Sequence, residues 1–270
     1  MWSGRNVSEY GHDGIAPYDE AIECLTSLKT KGKKVVLLSN SGKRATANLS
    51  RLLEFGFTYG SFDHVVTSGE VAWRGIAEQT FGGPFIPGSW MFLVGHDDYA
   101  YGFDSIGLKA VEDPAAADFI MIAASRVPKI SLAQYRDALA NAAACDVPAL
   151  CCNPDRLMLT THGLQPSAGE IAKLYSDLGG RVTFVGKPYP AIYAAASKLF
   201  PQIKSARTLA IGDSLEHDIG GANKSGLPAA LVLTGLSARM SRDHVEQEAV
   251  KCGAVANFVL PSLRWGACIC

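Results

Sequence analysis

The feature that most constrains this chain is the regular return of short, wholly apolar runs. Each ends in polar or glycine residues, and many are followed by a segment of helical period. Val35-Val36-Leu37-Leu38 stops at Ser39-Asn40-Ser41, and Thr208-Leu209-Ala210-Ile211 stops at Gly212-Asp213. Runs of that length bounded by turn residues predict strands buried on both faces. Further strands are expected at 65–67, 92–94, 119–122, 147–151, 182–185, 229–233 and 258–260. Ala21, Ile22, Leu25 and Leu28 share one helix face, with Pro17 placed where a helix start tolerates it and Gly32 as the stop. Leu49, Leu52 and Leu53 share a second face that closes at Gly56, and Leu132, Tyr135 and Leu139 predict a helix over 131–144. Ser68 and Glu70 suit the opening of another. Alternating strands and helices imply an α/β fold, a doubly wound, mostly parallel sheet covered on both faces, with its chemistry at the carboxyl ends of the strands. The rhythm changes near Trp90, so the expected division is one domain from 1–84 and 181–270, with an α/β module, 85–180, inserted into it.

Composition narrows the function classes. With 48% apolar and 19% charged residues among 270, the chain can bury a core, which excludes intrinsic disorder. Lys and Arg number 25 against 26 Asp and Glu, a net charge of −1, so no general attraction to nucleic acid or an anionic membrane is expected. No apolar run approaches the ~18–20 residues of a membrane helix, and no signal peptide is read, so the expectation is a soluble, cytoplasmic protein. The seven cysteines are scattered and lack the paired spacing of a zinc site.

Three strand ends carry groups suited to phosphate. Ser39 and Asn40 offer a hydroxyl, an amide and backbone N–H groups at a strand mouth, where anions bind, although the same pair also suits a turn and N-cap. Lys187, between Gly186 and Pro188, offers a rigidly held cation. In Ile211-Gly212-Asp213-Ser214-Leu215-Glu216-His217-Asp218, two carboxylates lie five positions apart directly after a strand. Magnesium takes oxygen ligands of this kind, usually one or two carboxylates with waters and substrate phosphate. Asp213 is placed to hold it, and Asp218 to hold Lys187 or a metal-bound water. His96-Asp97-Asp98 has the residue types of a metal site but reads as a polar surface turn, and His217 as a capping or solvated group. No nucleotide P-loop and no Gly-x-Ser-x-Gly elbow is present.

Together these motifs resemble those of the haloacid dehalogenase (HAD) superfamily of hydrolases, subfamily IIA, which includes nitrophenylphosphatase, phosphoglycolate phosphatase and nucleotide phosphatase relatives. Ser39-Asn40 matches its second motif, Lys187 its third and Gly212-Asp213 through Asp218 its fourth. Asn153-Pro154-Asp155 and the insert between the second and third motifs match its C2-type cap. The resemblance covers about residues 12–265. It implies a HAD-like Rossmannoid core with an α/β cap domain, and Mg2+-dependent hydrolysis of a small phosphomonoester through an aspartyl-phosphate. Ser39, Asn40 and Lys187 would hold the phosphoryl group, Asp213 the metal, and Asn153 and Asp155 would lie near substrate. A homodimer is one assembly open to such a chain.

The first motif departs from the family. Aligning Asp13-Gly14-Ile15-Ala16-Pro17 after it puts Asn6 at the nucleophile position and Ser8 at the acid/base position. Asp13 precedes a glycine, as an acid/base Asp would, but then Gly11 holds the nucleophile position. A carboxamide is a poor nucleophile and carries no charge, so both the acyl-phosphate and Mg2+ affinity are expected to suffer. The expectation is therefore an impaired phosphatase. The alternatives are a pseudoenzyme that binds a small phosphorylated ligand or a protein partner, and an Asp-bearing strand encoded upstream or in another frame.

Overall fold

The computed structural model describes residues 17, 18, 20–96, 101–160, 163–238 and 240–266. In chain order the elements are α1 (Ala21–Thr30), β1 (Val36–Ser39), α2 (Ala45–Glu54), β2 (His64–Thr67), α3 (Ser68–Ala77), β3 (Trp90–Val94), β4 (Lys109–Ala110), β5 (Phe119–Ile122), α4 (Leu132–Ala144) and β6 (Ala149–Cys151). There follow β7 (Leu157–Thr160), β8 (Gly163–Pro166), α5 (Ala168–Asp177), β9 (Val182–Phe184), α6 (Pro190–Lys198), β10 (Ala210–Gly212), α7 (Gly221–Lys224), β11 (Ala229–Val232), α8 (Arg242–Cys252) and β12 (Phe258–Leu260). The chain forms two compact units, one of residues 40–48 and 67–186, the other of 17–39, 49–66 and 187–266.

The first unit is built on a parallel five-stranded sheet of order β4-β3-β5-β6-β9. Its central strands β5 and β6 are buried at every residue, as continuous apolar runs require. Ile120, Ile122, Leu139, Ala149, Ile171 and Tyr175 form one core between the sheet, α4 and α5. α4 starts at a capping box, in which Ser131 and Gln134 satisfy each other's backbone N–H groups. β9, expected to resume the pattern of the outer domain, is instead the edge strand of this sheet, with Ala149 opposite Val182. Its residues are therefore only partly buried. The antiparallel pair β7–β8 has no counterpart in the sequence-based expectation. In the sequence Leu157-Met158-Leu159 lies between Asn153-Pro154-Asp155-Arg156 and Thr160-Thr161-His162-Gly163, a polar bracketing of the same kind as that of the other strands.

The second unit holds a two-stranded sheet, β1 with β2, and a parallel sheet of order β10-β11-β12. Leu25, Leu37, Leu52, Phe57 and Phe62 pack α1 and α2 around β1. Asp63 ties the start of β1, accepting Val35 N at 2.8 Å and pairing with Lys29 at 2.5 Å. α1 begins at Ala21, with Glu20 in a left-handed conformation before it, so Pro17 does not open the helix. β1 alternates half-buried and buried residues, and β10 is half exposed, with Ile211 40% exposed. The expectation of burial on both faces thus holds for β11 and not for β1 or β10. β11 lies between two neighbours, whereas β10 has β11 alone among the described residues.

Cys24, Cys151 and Cys152 are buried free thiols, and burial pushes Cys152 up to about 12. Among the described residues no helix is long and apolar enough to cross a membrane. Ile171, fully buried in the core of the first unit, is expected to cost about 2–5 kcal/mol when truncated to alanine. Urea unfolding of Ile171→Ala checks this; a loss below about 1 kcal/mol would contradict the packing described.

Candidate active site

In the second unit the site is built at the carboxyl ends of strands. β1 ends at Ser39, whose side chain is fully buried, and β10 ends at Gly212, directly before Asp213. Lys187 stands ahead of α6, which packs on β1 and starts at Pro190, where a missing N–H leaves no helix bond unmade.

Lys187 and Asp218 are brought together. Lys187 Nζ donates to Asp218 Oδ1 at 2.8 Å, and the two side chains are 7% and 13% exposed. The second carboxylate oxygen of Asp218 accepts Ser214 N at 3.0 Å. Tyr193 anchors the backbone behind it, its hydroxyl donating to His217 O at 2.9 Å and to Asp218 O at 3.2 Å. Gly212 is required by this geometry, because a Cβ there would run into the Asp218 carboxyl. A π-helical turn, Leu215–Gly220, carries Asp218 back toward the strand end. Ser214 caps that turn by accepting His217 N, and its hydroxyl also lies 3.1 Å from His217 Nδ1. His217 is thus a capping partner, as expected.

Asp213 is buried. Its Oδ2 accepts Leu236 N at 2.5 Å, and its carbonyl accepts Ser237 Oγ at 2.6 Å. Burial first, and the negative charge of Asp218 second, push its carboxyl up to about 8. A hard divalent cation would relieve both causes, and a carboxylate is the oxygen donor that magnesium takes, so the donor chemistry fits. Among the described residues no three His, Cys, Asp or Glu side chains gather as a metal cluster.

In the first unit the structure brings Asn40 and Asp155 together. Asn40 is fully buried, and its Nδ2 donates to Asp155 Oδ1 at 2.8 Å. Asn153 Oδ1 accepts Asp155 N at 3.2 Å, and Gly169 N donates to Asp155 O at 2.9 Å. Part of the capacity of Asn40 and Asp155 is thus committed to each other. Asn6, Ser8, Asp13, Asp97 and Asp98 lie outside the described residues.

Sequence reasoning missed the group that holds the 40–45 segment. Thr67 Oγ1 donates to Lys43 O at 2.6 Å, Gly69 N to Ser41 O at 3.0 Å, and Glu70 accepts from Arg44 and from Ala45 N. The available signal was Thr67-x-x-Glu70 before an apolar helix, the pattern of a capping box. Thr67 does cap α3, accepting Glu70 N at 3.0 Å, but the Glu70 side chain turns to Arg44 and Ala45.

Comparison with known proteins finds that haloacid dehalogenase-like hydrolase profiles match residues 12–109 and 184–264. Human chronophin is 31% identical over 229 residues, covering 80% of this chain and 75% of its own. A haloacid dehalogenase-like hydrolase of Brucella suis superposes with a TM-score of 0.79 at 25% identity, over 94% of this chain and 92% of its own. A glycerol phosphate phosphatase of Mycobacterium tuberculosis, solved with magnesium, gives 0.70 at 26% identity over 92% of this chain and 70% of its own.

The shifted carboxyl has a consequence for stability. In the unfolded chain Asp213 returns to the ordinary value of 3.8, while in the metal-free fold it holds its proton to about 8. Its contribution is fully present below 3.8 and is lost as pH rises through about 8, a change on the order of a few kcal/mol. Denaturant unfolding of metal-free protein at pH 5, 7 and 9 should show this decline in wild type and less of it in Asp213→Asn. Parallel curves for the two proteins would refute the assignment.

Proposed function

We propose, since the chain belongs to the family of haloacid dehalogenase-like hydrolases, that it is a phosphatase-type hydrolase acting on a small phosphomonoester. The observation that carries this is the buried Lys187 ammonium, oriented by Asp218 at 2.8 Å beside the buried Asp213. A fixed cation and a buried metal-seeking carboxylate are what phosphoryl transfer asks of a site, because catalysis there is mostly positioning and charge stabilisation.

The Ser39 hydroxyl and the Lys187 ammonium bind phosphoryl oxygens, and Asp218 keeps the ammonium from turning away. Asp213 would hold Mg2+, which when bound neutralises charge on the transferring group. The 85–180 module acts as the cap that sets substrate choice and excludes water, with Asn153 and Asp155 at the end of one of its strands. The similarity to glycerol phosphate phosphatase supports a small phosphorylated substrate.

Turnover through an aspartyl-phosphate needs a carboxylate at the position that Asn6 holds in the alignment. An uncharged amide cannot supply it, and losing a covalent nucleophile costs several orders of magnitude, ~10⁶ in a triad analogue. This substitution favours a second reading, a phosphate-binding pseudoenzyme that keeps the cradle without chemistry.

Hydrolysis of an aryl phosphate with Mg2+ is expected to be negligible for the chain as written and to rise in the Asn6→Asp, Ser8→Asp double variant. Lys187→Met should abolish that gain. Strong turnover by the unaltered chain would remove the impairment. No gain in the double variant, alongside tight phosphate binding, would select the pseudoenzyme.

A further inference from the structure

We propose that Glu70 is a positioning residue for the phosphate-binding segment, clamping the start of α2 and with it the five-residue link that carries Asn40 and joins it to Ser39. The inference rests on the phosphatase-type reading of Ser39 and Asn40.

Residues 40–44 are all that separates the end of β1 from the start of α2. A link this short ties the placement of Asn40 to that of Ala45. Glu70 holds that end directly: its Oε2 accepts Arg44 Nε at 2.6 Å and Ala45 N at 3.3 Å. Its other oxygen accepts Arg44 Nη2 at 3.3 Å and Arg74 Nε at 3.1 Å. Glu70 lies in the first turn of α3, and Ala45 N is the first N–H of α2. One carboxylate thus meets the positive ends of two helices, where a negative charge is favoured.

The side chains around it are ordered for that purpose. The Arg44 guanidinium lies 3.9 Å over the Trp73 ring, and Trp73 Nε1 donates to Gly102 O at 2.8 Å. Arg44 and Glu70 side chains are 25% and 13% exposed, so this pair is less screened than a surface one. Burial alone would raise the Glu70 carboxyl, but hydrogen bonds from Arg44 and Arg74 outweigh it and keep it ionised below the usual range.

The neighbours of Glu70 act on the same link. Ser68 Oγ donates to Ser41 O at 3.1 Å and also to Cys152 O, Gly69 N donates to Ser41 O, and Thr67 Oγ1 to Lys43 O. A Cβ on Gly69 would collide with the carbonyl of Gly42, so α3 can approach this closely only with glycine there. Four consecutive residues, Thr67 to Glu70, therefore each bond to the 41–45 segment. An ordinary cap would satisfy only the N–H groups of its own helix.

The test uses the full chain with Glu70→Gln and, as a variant that keeps charge but loses the two-pronged fork, Arg44→Lys. Arg181→Gln, which breaks an exposed ion pair with Asp146 and does not touch Glu70, is the control. Amide hydrogen exchange of residues 40–45, affinity for inorganic phosphate with Mg2+, and the melting temperature are measured together. Both variants should exchange faster at 40–45 and bind phosphate about tenfold more weakly, as loss of a supporting partner does elsewhere, while still folded at the assay temperature. The control should match wild type. Unchanged exchange at 40–45, or faster exchange with unchanged phosphate affinity, would overturn the positioning role. Phosphate binding by no form, wild type included, would overturn the underlying phosphatase-type reading and the inference with it.

Discussion

The buried pair of Lys187 and Asp218 is the interaction on which the rest of the candidate site depends. An ammonium and a carboxylate so poorly exposed must satisfy each other, because either alone would carry a large desolvation cost. The surrounding geometry serves that requirement: Gly212 leaves room for the Asp218 carboxyl, Ser214 N binds its second oxygen, and Tyr193 holds its backbone. Lys187 is thereby a cation with a fixed position, which a flexible surface lysine is not. Asp213 completes the electrostatic design, since burial and the nearby Asp218 charge leave its carboxyl favouring a proton or a divalent cation.

The first unit solves a different problem, holding a short polar segment still without a strand or helix of its own. Asn40 is tied to Asp155, and the first turn of α3 bonds to Ser41, Lys43 and Ala45. Backbone groups that a loop would offer to water are instead satisfied by the protein. A segment ordered in this way would need little rearrangement of its amides and hydroxyls on meeting an anion.

Much of the architecture was legible in the chain. The apolar runs at β1, β2, β3, β5, β11 and β12 each form a strand close to the expected position, because a short hydrophobic stretch between turn residues has few other ways to be buried. Misread features share one cause, which is that neighbours outside the segment decided them. β1 and β10 look fully buried by composition yet are partly exposed, with β10 at the edge of the described three-stranded sheet. β9 reads as part of the outer domain yet hydrogen-bonds to β6. Glu70 reads as a helix-opening acid, and only the fold reveals that its carboxylate serves α2.

By itself the sequence determined the α/β class, the polar motifs at strand ends, and the chemical types available there: a hydroxyl, an amide, an ammonium and two carboxylates. Those follow from local physics, since hydrophobic period and turn chemistry act over a few residues. Partner choice was settled by tertiary structure, which gives Asp218 the Lys187 ammonium, one of the two partners the sequence left open for it, and gives Asn40 the Asp155 carboxylate, which the sequence did not pair with it. Lys187 meets a carboxylate 31 positions away, and Asn40 meets one 115 positions away. Spacing carries no information at such separations, because sheet order and crossover connections, not chain distance, determine which strand ends become neighbours.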